Sequence, residues 1–254
     1  MECLSPIIGV IIAKSSIAFY EAHCQAGLFM TKKLPAWVEI GAFLLALIAG
    51  VINVIGLLSF QHQSVSHLTG TASLLSLKVI QGDYALAMHF SGIVFSFFAG
   101  AVLSGMIIQN ATLRLGKRYS AALFLESLLL LTSLLLLQHN YSSGDFWASA
   151  ACGLQNAMVS TYSGAIIRTT HITGTVTDLG TLIGQYLRGH EIDKRKLGLY
   201  LLLLVGFLMG GLIGAFGFLH FHYAILWLPI ICTQLLALLY AAYWLQQKKH
   251  QSRK

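Results

Sequence analysis

Two stretches decide the fold: Gly50-Val51-Ile52-Asn53 leading to His67-Leu68-Thr69-Gly70-Thr71, and Gly153-Leu154-Gln155-Asn156 leading to His171-Ile172-Thr173-Gly174-Thr175. In each, a glycine and an amide sit inside an apolar run, and a polar break follows. The correspondence continues downstream, where Ser96, Gly100 and Ser104 stand 110 positions before Gly206, Gly210 and Gly214. Each trio puts a small residue at every fourth position, along one helix face, so that a second helix can come close. The chain therefore contains two copies of one unit, and any motif in it has to be interpreted as a pair.

Around these stretches the sequence is that of an all-α membrane protein. Of its 254 residues 56% are hydrophobic and 10% charged, with a mean hydropathy of +0.73; a soluble domain carries about 25% charged residues. Six segments approach the ~20 apolar residues that a transmembrane helix needs, namely residues 36–60, 84–108, 119–138, 147–167, 197–219 and 224–245. Two more, 68–80 with Lys78 and 172–187 with Asp178 and Gln185, are too short and too polar for a full crossing. If both crossed, Arg114, Lys117 and Arg118 would lie outside, against the positive-inside rule. If both enter and leave on one side, these residues, Lys32, Lys33, Arg168, the loop from Arg188 to Lys196 and the tail from Lys248 to Lys254 are all cytoplasmic. The loops around His139 to Asp145 and His220 to Tyr223 are then outside.

The expected architecture is thus six transmembrane helices plus two short half-helices in a bacterial inner membrane, with both termini cytoplasmic. Repeat one covers about 36–138 and repeat two about 147–245, within a single integral domain of 30–245. Residues 246–254 form a basic cytoplasmic tail. Residues 1–29 fit a peripheral or artefactual N-terminal extension, because Glu2 precedes and Lys14 closes a short apolar stretch that makes a poor signal peptide. Three crossings per repeat, an odd number, give the two copies opposite orientations, an arrangement typical of transporters.

Candidate site residues follow from the pairing. Gly70 and Gly174 permit a backbone bend, and Thr69, Thr71, Thr173 and Thr175 supply caps for exposed N–H groups. Two helix N-termini facing a shared site suit an anion or a polar group. His67 and His171 can donate, accept or titrate near neutral pH. Asn53, Gln155 and Asn156 put amides in apolar helices, where each needs a partner; helix-to-helix hydrogen bonds are the plainer explanation. Glu126, deep in a Leu-rich span, is expected to face the bundle interior, and Asp178 to complement the second half-helix N-terminus; an ion or proton role is the alternative for both. Two histidines make a poor metal site, and Cys3, Cys24, Cys152 and Cys232 show no metal or disulfide spacing. No metal or soluble cofactor is expected. His220 and His222 belong on a solvated loop. Sixteen basic residues give a net charge of +7, but their places between apolar runs mark topology and exclude nucleic acid as a partner.

Gly50 to Asn53, Thr69-Gly70-Thr71, Glu126 in its Leu-rich span, Gly153-Leu154-Gln155-Asn156-Ala157 and Thr173-Gly174-Thr175 together carry a resemblance. The chain resembles the YoaK family of bacterial membrane proteins over about residues 36–245. The resemblance implies six spans and brings no assigned activity; it also implies Asp at the place of Asn53 and Asn at that of Thr71. Uncharged Asn53 lacks the charge that a proton or cation ligand would use there. The expected function is that of a small-solute transporter or channel with a central site at the two His-x-Thr-Gly-Thr turns. Its partners would be the lipid bilayer, a small polar or anionic solute and other copies of the chain. The alternatives are a non-catalytic scaffold or accessory subunit, and an intramembrane enzyme, which lacks a nucleophile, base and orienting group in any recognisable set.

Overall fold

The computed structural model describes residues 36–59, 64–108, 117–163 and 168–251, and among these every regular element is helical. In chain order they are α1 Ala36–Leu58, α2 Leu68–Ile80, α3 Tyr84–Ile107, α4 Lys117–Gln138, α5 Gly144–Ser163, α6 Ile172–Leu187, α7 Lys194–Phe221 and α8 Trp227–Gln251, with a 3-10 turn, His222–Leu226, between the last two. The short segments expected at 68–80 and 172–187 are α2 and α6. The expected extension 1–29, with Cys3 and Cys24, lies outside the described residues; Cys152 is free and buried, Cys232 free and half-buried.

The two halves end and begin their short helices alike. Gly82 (φ 75°) follows α2 and Gly189 (φ 88°) follows α6 in the left-handed region that only glycine enters without strain. At α2 the Gly82 and Asp83 amides bond back to the carbonyls of Val79 and Lys78 (3.2 and 3.0 Å), and at α6 those of Gly189 and His190 bond back to Tyr186 and Gln185 (2.9 and 3.1 Å). Such paired bonds satisfy the carbonyls that a helix end leaves free. Asp83 then caps α3 by accepting from Leu86 N, and Asp193, 110 positions later, caps α7 by accepting from Arg195 N and Lys196 N.

Packing exchanges partners between the halves. α1 packs along α7 and α5 along α3, so the first long helix of each half lies on the third helix of the other; α4 packs on α8 and α5, and α2 and α6 rest on α3 and α7. Glycine makes the exchange geometrically feasible. A Cβ at Gly50 would overlap the carbonyl oxygen of Phe207, one at Gly210 that of Leu47, one at Gly153 that of Phe97, and one at Gly100 that of Ala150. All four contacts obey the repeat: Gly50 and Leu47 stand 103 positions before Gly153 and Ala150, and Phe97 and Gly100 stand 110 before Phe207 and Gly210. The small-residue trios thus do the packing expected of them.

Exposure is the reverse of a soluble helix. On α3, Met88, Phe95, Phe98 and Met106 are exposed while Gly100 and Ser104 are buried, and on α7, Leu208, Leu212 and Phe216 are exposed over buried Gly206, Gly210 and Gly214. Helices surrounded by lipid turn their large apolar side chains outward and pack through small ones. Four stretches among the described residues are long and apolar enough to cross a membrane: Glu39–Leu58, Tyr84–Ile107, Lys117–Gln138 and Lys194–Gln246, the last holding both α7 and α8. α5 is largely enclosed by its neighbours, which frees it to carry Ser149, Gln155 and Asn156. One expectation is corrected here. His220 is not on a loop, because α7 runs on to Phe221 and passes through the single 3-10 turn into α8.

Candidate functional site

The exchange of partners brings the two repeated stretches to one place. A cavity of about 610 Å³ opens between them, within the range of small-molecule sites. Its wall is built from equivalent pairs: Asn53 of α1 with Asn156 of α5, Ser66 with Thr170, His67 with His171, Leu68 with Ile172, Thr69 with Thr173, and Phe97 of α3 with Phe207 of α7; Ser160 and Arg168 complete it. Phe97 and Phe207 are the residues whose carbonyls touch Gly153 and Gly50, so the glycine contacts also set the cavity's apolar walls.

His67 and His171 are the N-cap residues of α2 and α6, and neither helix has a side-chain cap. Each imidazole folds back over its own first turn, onto the glycine three residues later: a Cβ at Gly70 would stand 2.6 Å from His67 Nδ1, and one at Gly174 would overlap the His171 ring. The two glycines therefore make room for the histidines and do not bend the backbone, since neither has a positive φ. The expected threonine caps are corrected likewise. Thr71 Oγ1 donates to His67 O (3.2 Å) and Thr175 Oγ1 to His171 O (3.1 Å), bonds to the carbonyl four residues back. Both threonines are buried behind the cavity, while Thr69 and Thr173 face into it.

The polar networks of the two halves differ. Asn53 Oδ1 accepts from Ser66 Oγ at 2.6 Å and from Ser64 Oγ, which leaves its Nδ2 group as the donor not engaged by these serines. In the second half, Thr170 stands for Ser66 and Arg168 for Ser64, each 104 positions on, and Asn156 Oδ1 is buried without a hydrogen-bond partner among the described residues. Gln155 lies outside the cavity. Fully buried, it donates from Nε2 to Leu45 O (2.7 Å) and to Thr169 Oγ1 (3.1 Å), tying α5 to α1 and to the segment before α6.

Glu126 faces the bundle interior as expected, fully buried on α4 with no hydrogen-bond partner for either oxygen among the described residues, but it does not line the cavity. Asp178 is exposed, lies beyond the first turn of α6 and hydrogen-bonds with Tyr200 of α7, so it does not complement the helix N-terminus. Sequence reading missed two polar features. Arg168, counted as a topology marker, is a cavity wall residue. Asp145, at the start of α5, is buried; its Oδ2 lies 3.5 Å from His89 Nε2 of α3 and its Oδ1 accepts from Ser59 Oγ at 3.2 Å. The first could have been found from its repeat register, two residues before Thr170. The second carries no signal, since it occurs in one half only. Among the described residues no three His, Cys, Asp or Glu side chains converge as a metal would require.

A family model described as a protein of unknown function (DUF1275) matches residues 41–239. The chain is also similar to the UPF0700 transmembrane protein YoaK of Bacillus subtilis (strain 168), with 26% identity over 196 residues that make up 74% of this chain and 87% of that protein. No solved structure matches the chain. The chain belongs to the DUF1275 family and is a YoaK-like, helical membrane protein.

Proposed function

For this family member we propose a small-solute transporter or channel built from two inverted repeats, with the cavity between α2 and α6 as its central site. One observation carries the reading: the cavity is lined by equivalent residues of both halves, Asn53 with Asn156 and His67 with His171. A polar cavity at a repeat interface, framed by interrupted helices, is where secondary transporters bind their solutes. Irregular backbone in a bilayer is tolerated where it lines such a cavity.

Helix lengths support the six crossings of this reading. The stretch Lys194–Gln246 has 53 residues, which at 1.5 Å per residue would reach about 80 Å, against a hydrocarbon core of about 30 Å; α7 and α8 then cross separately on either side of the 3-10 turn. α5, with 20 residues, is long enough for one crossing. Three crossings in each half invert the second relative to the first, with both termini cytoplasmic in a bacterial inner membrane. A non-enzymatic role is proposed because the hydroxyls of Ser64 and Ser66 donate to the amide oxygen of Asn53, whereas an activated nucleophile donates to a base.

Reconstituted vesicles test the function. Flux of one or more small polar solutes, lost on substitution of Asn53 and Asn156 with the fold retained, is the expected result; no flux or binding across anions, cations and neutral metabolites would overturn it. Topology has its own test. Cysteines at Ser143 and His222 should be labelled from outside and those at Lys117 and Lys194 from the cytoplasm, and external labelling at Lys117 would restore eight crossings.

A further inference from the structure

We propose that the cavity selects a small monovalent oxyanion, a carboxylate or a nitrate-like ion, and that Arg168 is its specificity-determining residue. The inference rests on reading the cavity as a solute site and names the class of solute. Among the described residues of the wall Arg168 is the one permanently charged side chain, and none is Asp or Glu. Among the described residues no carboxylate oxygen comes within 4.0 Å of it. Arg168 is exposed and lines the cavity, so its guanidinium keeps its charge and its donors remain available to a ligand. One permanent positive charge matches one negative charge, and the planar fork of donors matches two oxygens on one atom.

The rest of the wall supplies donors as well. Asn53 Oδ1 is occupied by two serine hydroxyls, so Asn53 offers its Nδ2 group. The wall also holds acceptors, Asn156 Oδ1 among them, so it is the fixed positive charge of Arg168 that turns the cavity against a cation.

The repeat shows where the two halves of the site differ. The position equivalent to Arg168 is Ser64, which serves Asn53. The charge is thus present in one half of a pseudosymmetric wall, and replacing Arg168 by the serine of the other half is a direct test of its role.

Purified full-length protein in detergent would be titrated with sodium formate, sodium nitrate and sodium chloride at fixed ionic strength, and with choline and urea, following thermal stability and heat of binding. Formate or nitrate should bind, chloride more weakly, and Arg168→Ser should weaken the oxyanion at least tenfold. Arg168→Lys should keep part of the anion binding but lose the preference for formate and nitrate over chloride, and it serves where the serine variant fails to fold. Binding of choline or urea with no oxyanion binding, or oxyanion binding unchanged in both variants, overturns the anion proposal while the cavity remains a solute site. Absence of binding by every probe, together with absence of flux in vesicles, overturns the solute-site reading itself.

Discussion

The two halves of the molecule agree wherever backbones touch and disagree wherever polar side chains meet. Gly50 with Phe207 and Gly153 with Phe97 are the same contact made twice, and Gly82 and Gly189 end their helices by the same pair of amide bonds. At the cavity, by contrast, Ser64 and Ser66 satisfy Asn53, while Arg168 and Thr170 occupy those places beside Asn156. At the far end of the same helices the divergence is larger. Asp145 and His89 form a buried polar pair, where the equivalent positions, 103 before and 110 after, hold Ala42 and Leu199, each 4% exposed. Close backbone packing tolerates only glycine or another small residue, so it stays symmetric; side chains with room to differ are where one half can acquire what the pair lacks.

The largest effect should come from breaking the shared part. Gly100→Leu and Gly210→Leu each force a side chain into a carbonyl of the neighbouring helix and should cost about 3 kcal/mol or more. Thermal unfolding in detergent should show similar losses for both. A loss confined to one would mean that the two helix pairs do not carry equal weight.

Next in size is the polar pair that only one half has. Asp145→Ala removes the polar neighbour of His89 and an acceptor from Ser59, and the loss of these polar contacts should cost about 1–2 kcal/mol. The double change Asp145→Ala with His89→Leu installs the residue types found at the equivalent positions and should recover most of that loss, because replacing both polar partners by apolar groups that fit can be nearly neutral. Failure to recover in the same unfolding assay would mean that the contact at Ala42 and Leu199 is not equivalent in shape.

These contrasts also explain what was legible in the sequence. Every helix among the described residues was visible, and α2 and α6 had the expected boundaries, because hydropathy, length and the paired motif all act locally. Six of the eleven residues proposed for the solute site, Asn53, His67, Thr69, Asn156, His171 and Thr173, line the cavity. Gly70, Thr71, Gly174 and Thr175 lie behind it for a reason no periodicity reveals: the imidazoles fold onto the glycines, and the threonine hydroxyls turn back to their own helix. Gln155 stands outside the cavity because neighbours one residue apart on a helix point in different directions; its face meets α1, where it makes the helix-to-helix hydrogen bond that was the plainer explanation. Arg168 was hidden by its charge, which serves equally well as a topology signal and as a ligand for an anion.

An effect of similar size is expected at the turns. Gly82→Ala and Gly189→Ala place a Cβ on a residue at φ 75° or 88° with open space around it, so only backbone strain is added, about 1–2 kcal/mol. Equal losses would support the equivalence of the two helix ends. A larger loss at Gly189 would show that the longer loop to α7 depends more on its turn.

The smallest effect discriminates most finely between the halves. Asn53→Ala removes the acceptor shared by Ser64 and Ser66; at about 0.6 kcal/mol for each such bond in a membrane domain, the loss should be about 1 kcal/mol. Asn156→Ala removes an oxygen that has no partner among the described residues, so no bond to that oxygen is lost and burial of a lone acceptor is relieved. Its unfolding midpoint should stay at the wild-type value or rise. In the presence of a bound oxyanion the order should reverse: if Asn156 holds its place for the sake of the cavity, its replacement should weaken ligand-induced stabilisation while leaving the empty protein intact. A loss for Asn156→Ala equal to that for Asn53→Ala without ligand would mean that the second amide is structural too. The asymmetry between the halves would then reside in Arg168 alone.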